Sequence, residues 1–360
     1  MTLDLLDTTS PRVLMEADLR PVQGDRFQPT GFPDIGAATY TLPDGTEKLL
    51  VESAQSMANR LEAVCWDEAA DDLVGALRGL PYVRIGLGEY GVTSTLLEFH
   101  RLNSPYLWEL DGDDRLRAFQ DSVYADLGVS GRRPRRGETA QAAEEGVEVP
   151  GVVDVRRLAR AALKCDPNSI IHGVFLEKIA GRFRLPRMLS AFIEATGVNP
   201  AESGGVKFDR VFPEKDTQRG ISSDRGFTNV PFSRTEFVAD RITAYFNVDL
   251  ALLRSYGLGR DPERLLTVLA LWKVRRFNEV GLRLRTACDL ECTRLRCTRP
   301  DGVEIPRLAE LEEEIRTSIE RCRSRFADPA VTEVSVRVQK KRRGKRPDTA
   351  VLEEEGGGDE

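Results

Sequence analysis

Alternating apolar and polar residues predict β-strands along several stretches of the chain. Between Arg12 and Val22 the apolar residues face one side of a half-buried strand: Val13, Met15, Ala17 and Leu19. Two short runs, 36–42 and 48–51, flank the turn sequence PDGT and indicate a hairpin. We expect further strands in DRITAYFNVDL, PYVRIGL, GLRLRTACDLECTRLRC and VTEVSVRVQ, and a strand–turn–strand unit in SIIHGVFLEKIAGRFRL.

Apolar residues at helical spacing predict seven helices. The long helix 261–281 begins with Asp261 as N-cap and Pro262 in its first turn, and Asp154 caps helix 153–166. Pro186 and Gly197 mark the two ends of a helix in PRMLSAFIEATGV. The other four are LLVESAQSMANRLEAVC, WDEAADDLVGALRGL, DRLRAFQDSVYADLG and LAELEEEIRTSIERCRSRF.

The polar face of the helix at 49–65 has an unusual composition. It carries Gln55, Ser56, Asn59 and Arg60 beside Glu52, whereas a solvated helix face is usually rich in Glu and Lys. Amide, hydroxyl and guanidinium groups bond phosphate and sugar oxygens. An ordinary polar surface remains the simpler interpretation of the pattern alone.

Composition narrows the class of protein. The chain has 360 residues, 41% of them hydrophobic, which is enough for a substantial core. It has no apolar run of eighteen residues and no signal-peptide pattern at the start, and its six cysteines are scattered. We therefore expect a cytoplasmic protein with no membrane partner. The net charge is −6, yet 204–235 and 273–299 carry an excess of basic residues, which suits a protein that holds nucleic acid on one side.

Three stretches together resemble a known family. VESAQSMANRLEAV, preceded by RFQPTGFPDIGAATY and followed by GFTNVPFSRTEF, is similar to the RAMP-superfamily backbone subunit of type I-U (I-G) CRISPR Cascade complexes, the family numbered seven among Cas proteins. The resemblance covers most of 12–340 and leaves out the arginine-rich loop near 135 and the last twenty residues. It implies an α+β fold with a ferredoxin-like (RRM-type) palm and large helical and hairpin insertions.

The resemblance also implies a division of the chain and a set of partners. The palm comprises 1–125 and 236–340, a helical insertion 126–203, and a thumb loop or hairpin 204–235; a disordered tail follows at 341–360. Copies of the subunit would stack along a CRISPR RNA beside other Cascade subunits and present that guide to a target DNA strand, with no catalytic duty.

Candidate RNA-binding residues lie in the first loop, the helix at 49–65, two histidine segments and the thumb. Basic residues interleaved with aromatic rings are typical of proteins that hold single strands. The thumb also has the alternative of packing against a neighbouring chain. The full candidate set is Arg26, Gln28, Gln55, Ser56, Asn59, Arg60, His100, Arg101, His172, Lys207, Arg210, Arg219, Arg225, Phe227, Asn229 and Arg234.

The sequence offers little catalytic chemistry. Cys288, Cys292 and Cys297 lack a fourth ligand and a zinc-like spacing, so we expect no metal and no cofactor. Two alternative functions remain. One is an RNA endonuclease like the type III backbone subunits, using a loop aspartate (Asp18, Asp25 or Asp34). The other is a stand-alone RRM-type RNA-binding protein, which the missing RNP pattern disfavours.

Overall fold

The computed structural model describes residues 9–32, 36–131, 147, 148, 154–177, 179, 181, 183–207 and 230–338. Helices and antiparallel strands alternate along it, which confirms the predicted α+β class. The helices are α1 Ala54–Ala63, α2 Pro105–Trp108, α3 Asp114–Leu127, α4 Val155–Cys165, α5 Asn168–Ile171, α6 Leu250–Ser255, α7 Arg260–Val280 and α8 Leu308–Cys322. Short 3-10 turns occur at Gly75–Leu77, Gly88–Tyr90, Arg101–Asn103 and Arg323–Arg325.

The strands are β1 Arg12–Pro21, β2 Gly31–Phe32, β3 Gly36–Ala37, β4 Thr39–Thr41, β5 Glu47–Glu52, β6 Trp66–Asp67, β7 Asp72–Leu73, β8 Tyr82–Gly86, β9 Val92–Ser94, β10 Ser130–Gly131, β11 Val147–Glu148, β12 Val174–Leu176, β13 Phe183–Leu185, β14 Leu189–Lys207, β15 Val230–Asp249, β16 Arg283–Arg285, β17 Cys288–Arg299 and β18 Val331–Ser335. In the described part of the chain, seven of them form the main sheet in the order β16-β17-β1-β15-β14-β5-β4. All neighbours in this sheet are antiparallel.

One face of the main sheet forms the core. Val13, Met15 and Ala17 of β1 are buried and alternate with half-exposed residues, as the sequence pattern predicts. Helices α1 and α7 pack on this face, and α8 packs on α7. Helix α7 is buried on most sides, which accounts for its long apolar run. No helix in the described ranges is both long enough and apolar enough to span a membrane.

Strands β14 and β15 continue well past the edge of the main sheet. β14 pairs with β5 only through Ile193–Thr196, and β15 pairs with β1 through Ile242–Asp249. Beyond these segments the two strands pair with each other as far as Lys207 and Val230. We call this extension, 197–207 and 230–241, the ribbon. It overlaps the predicted thumb, 204–235, at 204–207 and 230–235, and residues 208–229 between its ends lie outside the described residues.

Several predicted elements are wrong. The stretch 186–198 is not a helix, because Leu189, Ala191, Ile193 and Ala195 alternate inward along β14. The stretch 66–80 forms the small β6–β7 hairpin and a 3-10 turn instead of a helix. The segment around His172 begins with the short helix α5, and only afterwards do β12 and β13 pair.

Smaller corrections concern element boundaries and sheet membership. Leu49–Glu52 belongs to β5, so α1 begins at Ala54 with Ser53 as its N-cap. Gly259, not Asp261, caps α7. The last strand, β18, pairs in parallel with β8 in a separate three-stranded sheet and takes no part in the main one.

Candidate nucleic-acid interface

Helix α1 presents the polar face that the sequence singles out. Met57, Ala58 and Leu61 are buried against the core, so the opposite side faces outward. Gln55 is exposed, and Ser56, Asn59 and Arg60 are half-exposed. The Ser53 hydroxyl accepts the backbone N–H of Ser56 at 3.3 Å and fixes the start of the helix. The four candidate residues of α1 therefore share one accessible face.

A buried carboxylate holds two arginines beside this face. Glu52, 1% exposed, ion-pairs with Arg60 at 3.3 Å and also with Arg285. A buried carboxylate is costly unless it is paired, and the two guanidinium groups satisfy that requirement. Since one negative charge faces two positive charges, the group keeps a net positive charge close to the surface.

Arg285 connects α1 with the first loop. Its Nη1 donates to the Gln28 carbonyl oxygen at 2.7 Å, while its Nη2 pairs with the Glu52 carboxylate. The Gln28 backbone N–H in turn donates to the Ala287 carbonyl oxygen at 2.7 Å. The loop that carries Arg26 and Gln28 is thus tied to β16 and to the start of α1.

A groove of about 800 Å³ opens between this loop and the base of the ribbon. Gln28 and Arg234, from distant parts of the sequence, both line it. A second buried carboxylate, Glu236, pairs with the groove residue Arg234 at 2.5 Å and with Arg26 at 3.7 Å. The groove and α1 therefore share one arrangement, in which two arginines surround one buried acid.

Arg187 contacts the start of α1 beside the candidate face, and it is absent from the residues selected from the sequence. Its Nε donates to the His172 carbonyl oxygen at 3.3 Å, its Nη1 to the Ala54 carbonyl oxygen at 3.2 Å, and its Nη2 to the Gln55 side chain. Partial burial lowers the pKa of Arg187, with a further contribution from Arg101. A helix at 186–198 does not predict this position of Arg187. In the structure Arg187 lies two residues before β14 and contacts the start of α1.

Two candidate residues lie inside the protein, away from this surface. Arg101 is 5% exposed, and its Nε and Nη2 donate to Glu62 at 2.6 Å each. His172 is 1% exposed, with its Nε2 2.9 Å from the Lys273 amine. Both side chains are engaged within the core, so they do not fit the predicted RNA contact and we leave them out of the interface.

Arg101 and His172 belong to a buried charged cluster made of Glu62, Arg101, Asp166, His172 and Lys273. Burial raises the pKa of Glu62, opposed by Arg101, and it raises the pKa of Asp166, opposed by the Ser169 hydroxyl. Burial, together with Lys273, lowers the pKa of His172 well below its usual value. Apart from the neutral His172, the cluster contains two acidic side chains, Glu62 and Asp166, and two basic ones, Arg101 and Lys273.

The remaining candidates are less informative. His100 is exposed, and no contact joins it to the α1 face or the groove within the described ranges. Lys207 pairs through its backbone with Val230 at the end of the ribbon. The other thumb candidates lie outside the described residues: Arg210, Arg219, Arg225, Phe227 and Asn229. The same holds for the arginine-rich loop near 135 and the tail 341–360.

The groups considered for catalysis are also placed. Asp18 lies on β1 with its carboxylate 2.6 Å from Arg296, Asp25 is exposed in the first loop, and Asp34 is outside the described residues. Within the described ranges no cluster of three potential metal ligands occurs. Burial raises the pKa of the Cys288 thiol to about 11, which keeps it protonated at neutral pH.

Comparisons with known proteins identify the family. Residues 13–200 match the family model described as CRISPR-associated protein GSU0053. This match spans more than half of the 360 residues, and the chain belongs to that family. The CRISPR-associated family that the sequence resembles is thereby confirmed. A comparison with curated protein sequences finds no match.

Two solved structures are similar at low identity. A chain of a structure titled "CRISPR RNA-guided surveillance complex, pre-nicking" is 14% identical with a TM-score of 0.41, over 87% of this chain and 89% of that one. Csc2 from Thermofilum pendens is 12% identical with a TM-score of 0.31, over 89% and 79%. At these scores no residue role is carried over from either structure.

Proposed function

We propose that this protein is a guide-RNA-binding backbone subunit of a type I CRISPR interference complex. The observation that carries the proposal is the set of contacts that links α1, the first loop and the ribbon base. Buried Glu52 pairs with two arginines at the polar face of α1, and buried Glu236 pairs with two arginines near the ribbon base. Family membership supports a role in CRISPR defence.

This surface suits a phosphodiester strand. Arginines held by a carboxylate lose less side-chain freedom when they bind, and their planar groups match phosphate geometry. The amides and hydroxyl of α1 can bond sugar and phosphate oxygens without reading bases. Such a protein would hold any guide sequence, and specificity would come from pairing between guide and target DNA.

We also propose that four strands of the main sheet and two helices form a ferredoxin-like palm. β1, α1, β14, β15, α7 and β17 follow the order strand–helix–strand–strand–helix–strand along the chain. Their strands lie side by side as β17-β1-β15-β14, the fourth-first-third-second arrangement of a split β-α-β pair. The thumb would then be the ribbon with residues 208–229, and it would reach the next copy along the RNA.

The subunit has no catalytic role in this proposal, and a separate component would cut the target. The test is to co-express the full chain with a CRISPR RNA and image the purified product by negative stain. Curved filaments that contain the RNA are the expected result. Purified protein that is monomeric and free of RNA under these conditions would contradict the proposal.

A further inference from the structure

A second basic site lies away from the groove. A pocket of about 400 Å³ is bounded by the C-terminal end of α3, by α4 and by the 3-10 turn Arg323–Arg325. Its lining shares no residue with the groove at the ribbon base. The lining residues are Ala125, Asp126, Arg157, Arg160, Ala161, Leu163, Lys164 and Arg325.

The charge of this pocket opposes that of the whole protein. Its lining holds four cationic side chains and one carboxylate, whereas the chain carries a net charge of −6. An acidic protein gains nothing in solubility from gathering cations in one concave site. A pocket with an excess of positive charge attracts anions from solution.

The cations differ in how far they are already engaged. Lys164 already has two partners within the protein, because its amine lies 2.8 Å from the Asp126 carboxylate and 2.9 Å from the Ser122 hydroxyl. Among the described residues, Arg160 forms a long ion pair with Asp154, at 3.9 Å. Arg157 and Arg325 are exposed, and neither has an ion pair with another residue in the described ranges. Arg157 and Arg325 therefore line the pocket with no ion pair to a carboxylate in the described ranges.

The spacing along α4 matches an extended anion. Arg157, Arg160 and Lys164 lie on one side of α4, while Leu158, Ala159 and Ala162 on the other side are buried in the core. At 1.5 Å per residue the three basic residues span roughly 10 Å along α4, which is longer than a single phosphate group. A single inorganic anion would occupy only part of this length.

We propose that this pocket binds the phosphodiester backbone of a second nucleic-acid strand, separate from the strand held by the α1 surface. Arg157 and Arg325 make the principal contacts, Arg160 adds a third, and Lys164 fixes the pocket wall through Asp126. Binding is independent of base sequence, because only phosphate oxygens are contacted. The proposal goes beyond the guide-RNA function and does not require it.

The test measures binding of the full-length protein, purified with its co-expressed RNA, to a fluorescent DNA duplex of unrelated sequence. Arg157→Ala with Arg325→Ala should weaken binding roughly tenfold, and should reduce the slope of log K against log salt by about 1 to 2. The matched control removes two exposed arginines near the start of α3, Arg115→Ala with Arg117→Ala, and should stay within about twofold of wild type.

Several results would overturn the proposal. They are a DNA affinity unchanged by the pocket substitutions, or an equal loss in the control variant. A fall in retained RNA with unchanged DNA affinity would assign the pocket to the guide. Displacement of DNA by inorganic phosphate far beyond chloride at equal ionic strength would assign it to a small anion. Binding of a polyglutamate peptide that the pocket variant loses, with DNA binding unaffected, would assign it to an acidic protein. If the purified protein carries no RNA, the guide-RNA function fails, while the DNA measurement still tests the pocket.

Discussion

Arg101 and Glu62, 39 residues apart, form a two-point ion pair inside the protein, with both N···O distances at 2.6 Å. Arg101 also donates to the Gly173 carbonyl oxygen at 3.2 Å. This pair ties the second half of α1 to the segment that leads from His172 toward Arg187. The inner side of α1 is thus fixed by charge, while its outer side remains available to a ligand.

Arg101→Ala should destabilise the protein strongly. Removing one partner of a buried ion pair leaves the other charge uncompensated and costs about 3–5 kcal/mol. The measurement is the free energy of unfolding from urea denaturation. The control is Arg323→Ala, which removes an exposed pair with Glu320 and should cost less than about 1 kcal/mol. Equal losses in the free energy of unfolding would show that the buried pair stabilises the protein no more than the exposed pair does.

His172 should make stability depend on pH in the mildly acidic range. Its pKa in the folded protein is well below 6.5, so below that pH the unfolded chain binds a proton that the folded chain excludes. This contribution to stability is therefore lost as the pH falls below about 6.5, with a slope of up to about 1.4 kcal/mol per pH unit.

The comparison is His172→Gln, which keeps an acceptor near Lys273 but does not titrate. Urea denaturation of both proteins between pH 5 and 7.5 gives the two slopes. Glu62 and Asp166, whose pKa values are raised, act in the opposite direction in both proteins, so the difference isolates His172. Identical slopes would rule out the proposed titration.

The sequence predicts most of the sheet but misses β14, which it assigns to a helix. β1 and the inner part of β15 show clear alternation, whereas in 186–198 the large residue Phe192 lies on the outer face and interrupts it. Phe192 is 37% exposed and stacks on Tyr245 of the neighbouring strand. Proline and glycine at the two ends of this stretch favour a helix in the sequence pattern.

The candidate interface also has a part that the sequence predicts and a part that it does not. The polar face of α1 follows from local spacing, so the sequence locates Gln55 and Asn59 correctly on the surface. The burial of Arg101 depends on Glu62, and the placement of Arg187 depends on α1. Such pairings between distant segments leave no local signal in a single sequence.

Residues 208–229, which connect the two strands of the ribbon in sequence, should be needed for assembly but not for folding. Replacing 208–229 by a short Gly-Ser link leaves the pairing of β14 and β15 with the main sheet intact. We expect a soluble monomer with normal thermal stability and no ordered filaments in negative stain. Filaments of normal pitch from this variant would contradict the assignment of the thumb.

The assembled complex should leave complementary RNA uncut. Labelled target RNA incubated with Mg²⁺ or Mn²⁺ should remain intact, because the proposed subunit binds without catalysis. Regularly spaced cuts that disappear in Asp18→Ala, Asp25→Ala or Asp34→Ala would establish the endonuclease alternative. Asp18→Ala would also remove one of the two carboxylates that pair with Arg296, the other being Glu16, so its thermal stability should be measured alongside.

The central claim is that the outer face of α1 holds guide RNA. The measurement is the amount of ribonuclease-protected RNA per mole of protein purified from cells that express the guide, for wild type and for Asn59→Ala with Arg60→Ala. Glu52 keeps Arg285 as a partner in the double variant, so the fold should survive, as circular dichroism would verify. Arg115→Ala removes the same charge from an exposed site. We predict that the double variant retains less than about a tenth of the wild-type RNA, since it loses more than one charge-assisted contact, and that the control retains all of it. Undiminished protected RNA in a folded double variant would contradict the account.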